Sequence, residues 1–132
     1  MPITYTYDPK LNLVRSCVTG HTDTREGMDY NRELRDDRAL RQGFVEICDF
    51  TGVEDYAFNH SNARELSEMF HELRRRGYRG TVFLVKTELQ YGTTRMFKQI
   101  SDTWGLPVEI TRDPEAVITL AEKIRAIEPN HH

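Results

Sequence analysis

Residues 43–69, GFVEICDFTGVEDYAFNHSNARELSEM, decide how this chain folds. Phe44 to Phe50 is apolar enough for a strand, with Phe44, Val45, Ile47, Cys48 and Phe50 as its apolar positions. From Ala63 onward Leu66, Met69, Phe70 and Leu73 recur at three- and four-residue spacing, while Arg64, Glu65, Ser67, Glu68 and Glu72 fill the other face, the pattern of an amphipathic helix. The polar stretch between them reads as a loop ending in Asn59, His60, Ser61 and Asn62. A strand that ends at a helix N-terminus points unpaired backbone N–H groups at one spot, which suits a phosphate or a carboxylate.

The same alternation continues on the C-terminal side. Gly77 stops the helix, and Thr81 to Val85 is apolar without alternation, as expected of a central parallel strand covered on both faces. A third helix follows, opened by Tyr91, with Met96, Phe97, Ile100 and Trp104 on one stripe and Gly105 at its C-cap. Val108 and Ile110 alternate with Glu109 and Thr111 in a short strand suited to a sheet edge. Asp113-Pro114 opens the last helix, with Ala116, Val117, Leu120 and Ile124 inward.

On the N-terminal side, Ile3, Tyr5 and Tyr7 alternate with polar residues, and the turn Asp8 to Asn12 leads into Leu13 to Thr19, a β-hairpin. Asp23 and Glu26 have capping-box spacing for a helix that runs to about Arg35, with Met28, Tyr30 and Leu34 inward. The order β-β-α-β-α-β-α-β-α predicts an α/β fold with a mostly parallel five-stranded sheet, right-handed crossovers and one antiparallel strand from the hairpin. A chain of 132 residues fits one domain, read as residues 1–126 with a tail at 127–132. His131 and His132 in that tail enter no metal argument.

Composition narrows the functional classes. A net charge of -3 and a pI near 5.9 give no basic excess, so nucleic acid is not an expected partner. The longest apolar run, Val82 to Val85, is far below the ~20 residues of a membrane span. The first residues lack the basic and apolar regions of a secretory signal, which predicts a cytoplasmic protein with Cys17 and Cys48 as buried free thiols. No ligand-spacing motif supports metal binding by His21 and His60, and no cofactor is implied.

Asp49 at the end of the third strand and Tyr91-Gly92-Thr93-Thr94-Arg95-Met96-Phe97 at the start of the third helix, together with the element order, resemble the STAS superfamily and more closely its bacterial SpoIIAA-like branch. The resemblance covers Ile3 to about Ile124. It implies a right-handed βα superhelix of about four turns behind an N-terminal hairpin. It also implies a noncatalytic regulatory module that binds another protein, in which a serine opening the second helix is phosphorylated by a partner kinase. Ser61 stands at the matching place, although this chain reads Asn59-His60-Ser61-Asn62 where those members carry an acidic residue followed by serines. The branch is similar in fold to lipid-carrying Sec14 domains, which implies the alternative of a carrier or sensor for a small anionic or lipid-like ligand.

The candidate binding residues are therefore Asp49, Asn59, His60, Ser61, Lys86, Tyr91 and Arg95, with no catalytic residue assigned. Ser61 is either a phosphate acceptor or a capping residue, since Asn62 and Glu65 also have capping spacing. Asp49 is expected to order the following loop by accepting backbone N–H bonds. Lys86, Tyr91 and Arg95 either border one cleft that takes an anion or serve as a packing tyrosine and local ion pairs. A carrier predicts an apolar pocket of about 300 Å³ or more between the second and third helices beside those three residues. Arg74, Arg75, Arg76 and Arg79 read as a solvated face matched to a helix C-terminus.

Overall fold

The computed structural model describes residues 3–58, 61 and 63–127. Its elements are β1 (Ile3–Asp8), β2 (Leu13–Asp23), α1 (Thr24–Asp36), β3 (Val45–Ala57), α2 (Ala63–Arg76), β4 (Gly80–Leu84), α3 (Glu88–Asp102), β5 (Val108–Thr111) and, after a 3-10 turn at Pro114–Ala116, α4 (Val117–Ala126). They form one sheet in the order β1-β2-β3-β4-β5, antiparallel between β1 and β2 and parallel elsewhere. The mostly parallel α/β sheet read from the sequence is thus the observed one, with β5 at an edge. β4 is an interior strand as expected, but the middle of the sheet is β3.

Strand alternation sorts the core into two layers. Val14, Val18, Cys48, Phe50 and Phe83 meet Met28, Leu34, Leu66, Phe70, Leu73 and Phe97 of α1–α3 on one face. Leu13, Val45, Ile47 and Val82 meet Val117, Ala121 and Ile124 of α4 on the other. Three crossovers that each step one strand along and all cover the same face share one hand, as parallel βαβ units do. Since β2 to β5 run parallel, the helices that follow them all start at the same end of the sheet, where the chain leaves each strand's carboxyl end.

Three local expectations change. β3 does not end at Phe50: it continues to Ala57 and pairs there with β2, itself prolonged from Thr19 to Asp23, through register shifts between Cys17 and Thr19 and between Gly20 and His21. Gly52 makes this approach possible, because a Cβ there would lie 2.9 Å from Thr19 Cγ2. β4 pairs with β3 only as far as Asp49, so the extension is a two-stranded tongue beyond the rest of the sheet. The segment read as loop was polar because only part of such a tongue is buried. Cys17, read as buried, is exposed while Cys48 is buried, since Cys17 lies on the part of β2's outer face that α4 leaves open. α4 buries Val117, Ala121 and Ile124, with Ala116 and Leu120 only half-buried.

Arg76 at the end of α2 and Arg79 just after it are less solvated than their composition implied. Arg76 donates to the carbonyls of Arg35, Asp37 and Leu40, tying down the segment that leaves α1. Arg79 reaches the carbonyls of Arg125 and Ile127 at the end of α4. Gly77, at φ +109°, ends α2 with bonds from Gly77 N to Arg74 O and Tyr78 N to Leu73 O.

Candidate functional site

The rim at the carboxyl end of the sheet holds a broad basin. Asp23 caps α1 by accepting from Glu26 N at 2.9 Å, and Glu26 in turn accepts from Thr22 Oγ1 rather than closing the reciprocal box. This fixes the first turns of α1 beside the end of β3, and the space between them and the start of α2 is a basin of about 820 Å³. Arg25, Asp29 and Arg32 line it from α1, and Phe58, Ser61 and Glu65 line it from the other side. Arg32 is bonded to Asp29 at 2.9 Å. Ser61 is exposed at this basin; Asn59, His60 and Asn62 lie outside the described residues.

The other sequence candidates do not join Ser61. Asp49 takes the opposite face of the sheet, in a groove with Arg15, Cys17 and Val117, and accepts from Thr51 N at 2.9 Å and Thr51 Oγ1 at 2.6 Å, ordering the chain after it. α3 starts three residues before Tyr91: Thr87 is its N-cap and closes a capping box with Gln90. With that phase the buried side of α3 is Gln90, Thr93, Thr94, Phe97 and Ser101, while Met96, Ile100 and Trp104 are only half-buried. Tyr91 and Arg95 face outward, and Lys86 is exposed at the turn before them. Arg95 and Arg112 lie over the Tyr91 ring at 5.8 and 5.7 Å, and Arg112 also pairs with Glu88 at 2.6 Å. Tyr91 and Arg95 are therefore neighbours as their spacing required, on a surface patch completed by Arg112, a partner from beyond β5.

His21 lies on the β2 extension, exposed, 3.3 Å from Glu54 and 3.8 Å from Asp55. Among the described residues no group of three or more His, Cys, Asp or Glu side chains is placed to hold a metal ion. No helix of the described residues is long and apolar enough to cross a membrane.

The most unusual polar group escaped the sequence reading. Glu46, the second residue of β3 and 5% exposed, points into the α1–α3 layer. Its Oε2 accepts from Ser16 Oγ at 3.1 Å and from Tyr30 Oη, and its Oε1 accepts from Thr81 Oγ1 at 2.7 Å and Tyr78 Oη at 3.3 Å. Burial, then the charge of Glu46, pushes the Tyr30 and Tyr78 phenols well above the usual tyrosine range, so both remain donors at neutral pH. Beside this cage lies a cavity of about 70 Å³, otherwise lined mainly by apolar side chains such as Val18, Leu66, Phe70 and Val108. Neither Lys86, Tyr91 nor Arg95 lines it. The available signal was a lone acid at an inward position of an apolar strand, a residue type almost never buried without partners.

Comparison with known proteins supports the fold. No protein-family model matches the chain, and no curated protein does. Among solved structures, the chain is similar to the anti-sigma factor antagonist SpoIIAA in its unphosphorylated form, with TM-score 0.55, 13% identity, and coverage of 95% of this chain and 99% of that one. It is similar also to an uncharacterised protein of the DUF3478 family with a SpoIIAA-like fold from Shewanella loihica PV-4, with TM-score 0.54, 14% identity, and coverage of 90% and 93%.

Proposed function

We propose that this chain, whose fold is that of SpoIIAA and its STAS relatives, is a noncatalytic regulatory module that works by binding another protein at the α1–α2 rim. The observation that carries this reading is the basin of about 820 Å³ there, open and edged by both acidic and basic side chains. Such a surface matches the polar rim of a protein interface better than a closed ligand pocket, which is mostly apolar. Ser61 at its edge gives a modification a direct effect, because a phosphate adds about -1.5 to -2 charges beside Glu65 and the α2 N-terminus.

The test places a photo-cross-linking amino acid at Arg25 in the basin or at Glu122 on α4, in cells of the native host. A single protein adduct from position 25, absent from position 122 and lost with Ser61→Glu, is the expected result. Equal adducts from both positions, or none from position 25, overturn the assignment. Incubation with candidate kinases, wild type against Ser61→Ala, addresses the switch separately, and equal phosphate uptake by both proteins removes Ser61 as acceptor.

The second reading, a carrier or sensor of a small ligand, draws on the apolar cavity under α1–α3. At about 70 Å³ it falls below the ~300 Å³ of typical ligand pockets, and its polar wall is acidic. A bulky or anionic ligand therefore suits it poorly.

A further inference from the structure

We propose that the cavity beside Glu46 is a binding site for a small organic ammonium ion, held by its N–H groups against the hydroxyl oxygens of Tyr30, Tyr78 and Thr81 and by charge against Glu46. Three observations lead to this class of ligand. First, the four hydroxyls around Glu46 spend their protons on its two oxygens, which is the hydrogen-bonding complement of a carboxylate. A carboxylate has about four lone-pair sites, and all are used; the hydroxyl oxygens, however, retain lone pairs. Tyr30, Tyr78 and Thr81 line the cavity together with Glu46, so this wall offers acceptors and a newcomer must donate.

Second, the cage satisfies hydrogen bonding without neutralising charge. None of the ion pairs among the described residues includes Glu46. A buried carboxylate without a counter-charge is costly, and a cation in the adjoining space reduces that cost. Third, size and lining limit the cation. The remaining wall is largely apolar, which favours an alkyl body over a bare, strongly hydrated ion. Since a cavity of about 150 Å³ takes benzene, one of about 70 Å³ takes roughly three non-hydrogen atoms, the size of ethylammonium. Three atoms at the highest attainable ligand efficiency bind in the millimolar range. No residue lines both this cavity and the rim basin, so the two sites stand or fall separately.

The test is an NMR titration of the full chain at constant ionic strength with ethylammonium, ethanol or acetate, following the methyl groups of Val18, Leu66 and Val108. Ethylammonium should shift them saturably, at least about tenfold more tightly than ethanol, and acetate should leave them unmoved. Glu46→Gln, which keeps the shape and removes the charge, should weaken ethylammonium by at least about tenfold. Gly27→Leu leaves the cage intact and crowds the cavity wall, where a Cβ meets only Tyr56 Oη at 3.5 Å; it should abolish the shifts and supplies the control if Glu46→Gln does not fold. Equal binding of ethanol or acetate, unchanged affinity in either variant, or no shift with any probe overturns the proposal.

Discussion

Thr81 illustrates what a single hydroxyl contributes to the buried cage. Its Oγ1 donates to Glu46 at 2.7 Å, and Thr81→Val preserves the side chain's shape while removing that donor. A hydrogen bond to a charged group contributes about 1.5–3 kcal/mol, so the variant should lose roughly that much stability in urea denaturation at neutral pH. An unchanged midpoint would mean that the cage tolerates a missing donor. The tyrosines make a second residue-scale prediction. Burial raises the Tyr56 phenol to about 12, and Tyr30 and Tyr78 are raised well above the usual value. An unfolded phenol titrates near pH 10, so above that pH the folded chain binds more protons than the unfolded one. The stability contributed by these groups is complete below about pH 10 and is lost as the pH rises toward about 12 and beyond. Phenolate absorbance should show the Tyr30, Tyr56 and Tyr78 phenols released late and together with unfolding; their release near pH 10 in a still-folded protein would contradict this. The sequence marks Glu46 only as an acid at an inward position of an apolar strand; its cage was not legible, because the partners come from positions 16, 30, 78 and 81, brought together only by strand register and helix packing.

At the scale of elements, the start of α3 joins two features that the sequence treated separately. Gln90 accepts through Oε1 from Lys86 N at 2.7 Å and Thr87 N at 3.1 Å, and its Nε2 donates to Thr51 O at 3.0 Å and Val53 O at 2.9 Å. One buried amide thus closes the helix cap and satisfies two carbonyls on the side of the β3 tongue that β4 no longer covers. Thr87→Ala removes one capping bond, made by Thr87 Oγ1 with Gln90 N, and should cost about 1 kcal/mol. Gln90→Ala removes four bonds and should cost roughly 2–4 kcal/mol. It should also accelerate amide hydrogen exchange throughout residues 51–57, which Thr87→Ala should not do. Equal costs and equal exchange would refute the linkage. That α3 starts three residues before Tyr91 has the same origin: the cap depends on Gln90, which is held by carbonyls of β3 far away in the sequence.

Across the whole molecule, α4 has a distinct role among the helices, since it covers the face of the sheet that α1–α3 leave open. Ile124, fully buried between Leu13, Val45 and Val82 in that layer, is its anchor. Ile124→Ala should cost about 2–5 kcal/mol, and both layers should still melt in one transition because β3 and β4 contribute to both. Calorimetry showing an early separate transition would mean that the α4 layer is an independent unit. The sequence by itself determined the element order, the parallel sheet behind a hairpin, the edge position of β5 and the inward faces of α1 and α2, because each rests on periodicity or capping within a few residues. Only the tertiary structure decided that Ser61 opens on a basin shared with α1, that Tyr91 and Arg95 meet Arg112 on the outside of α3, that Cys17 is exposed, and that Glu46 sits in a ring of hydroxyls beside a cavity. Those relations depend on which strand lies next to which and in what register, a matter of long-range packing that no local window of sequence contains.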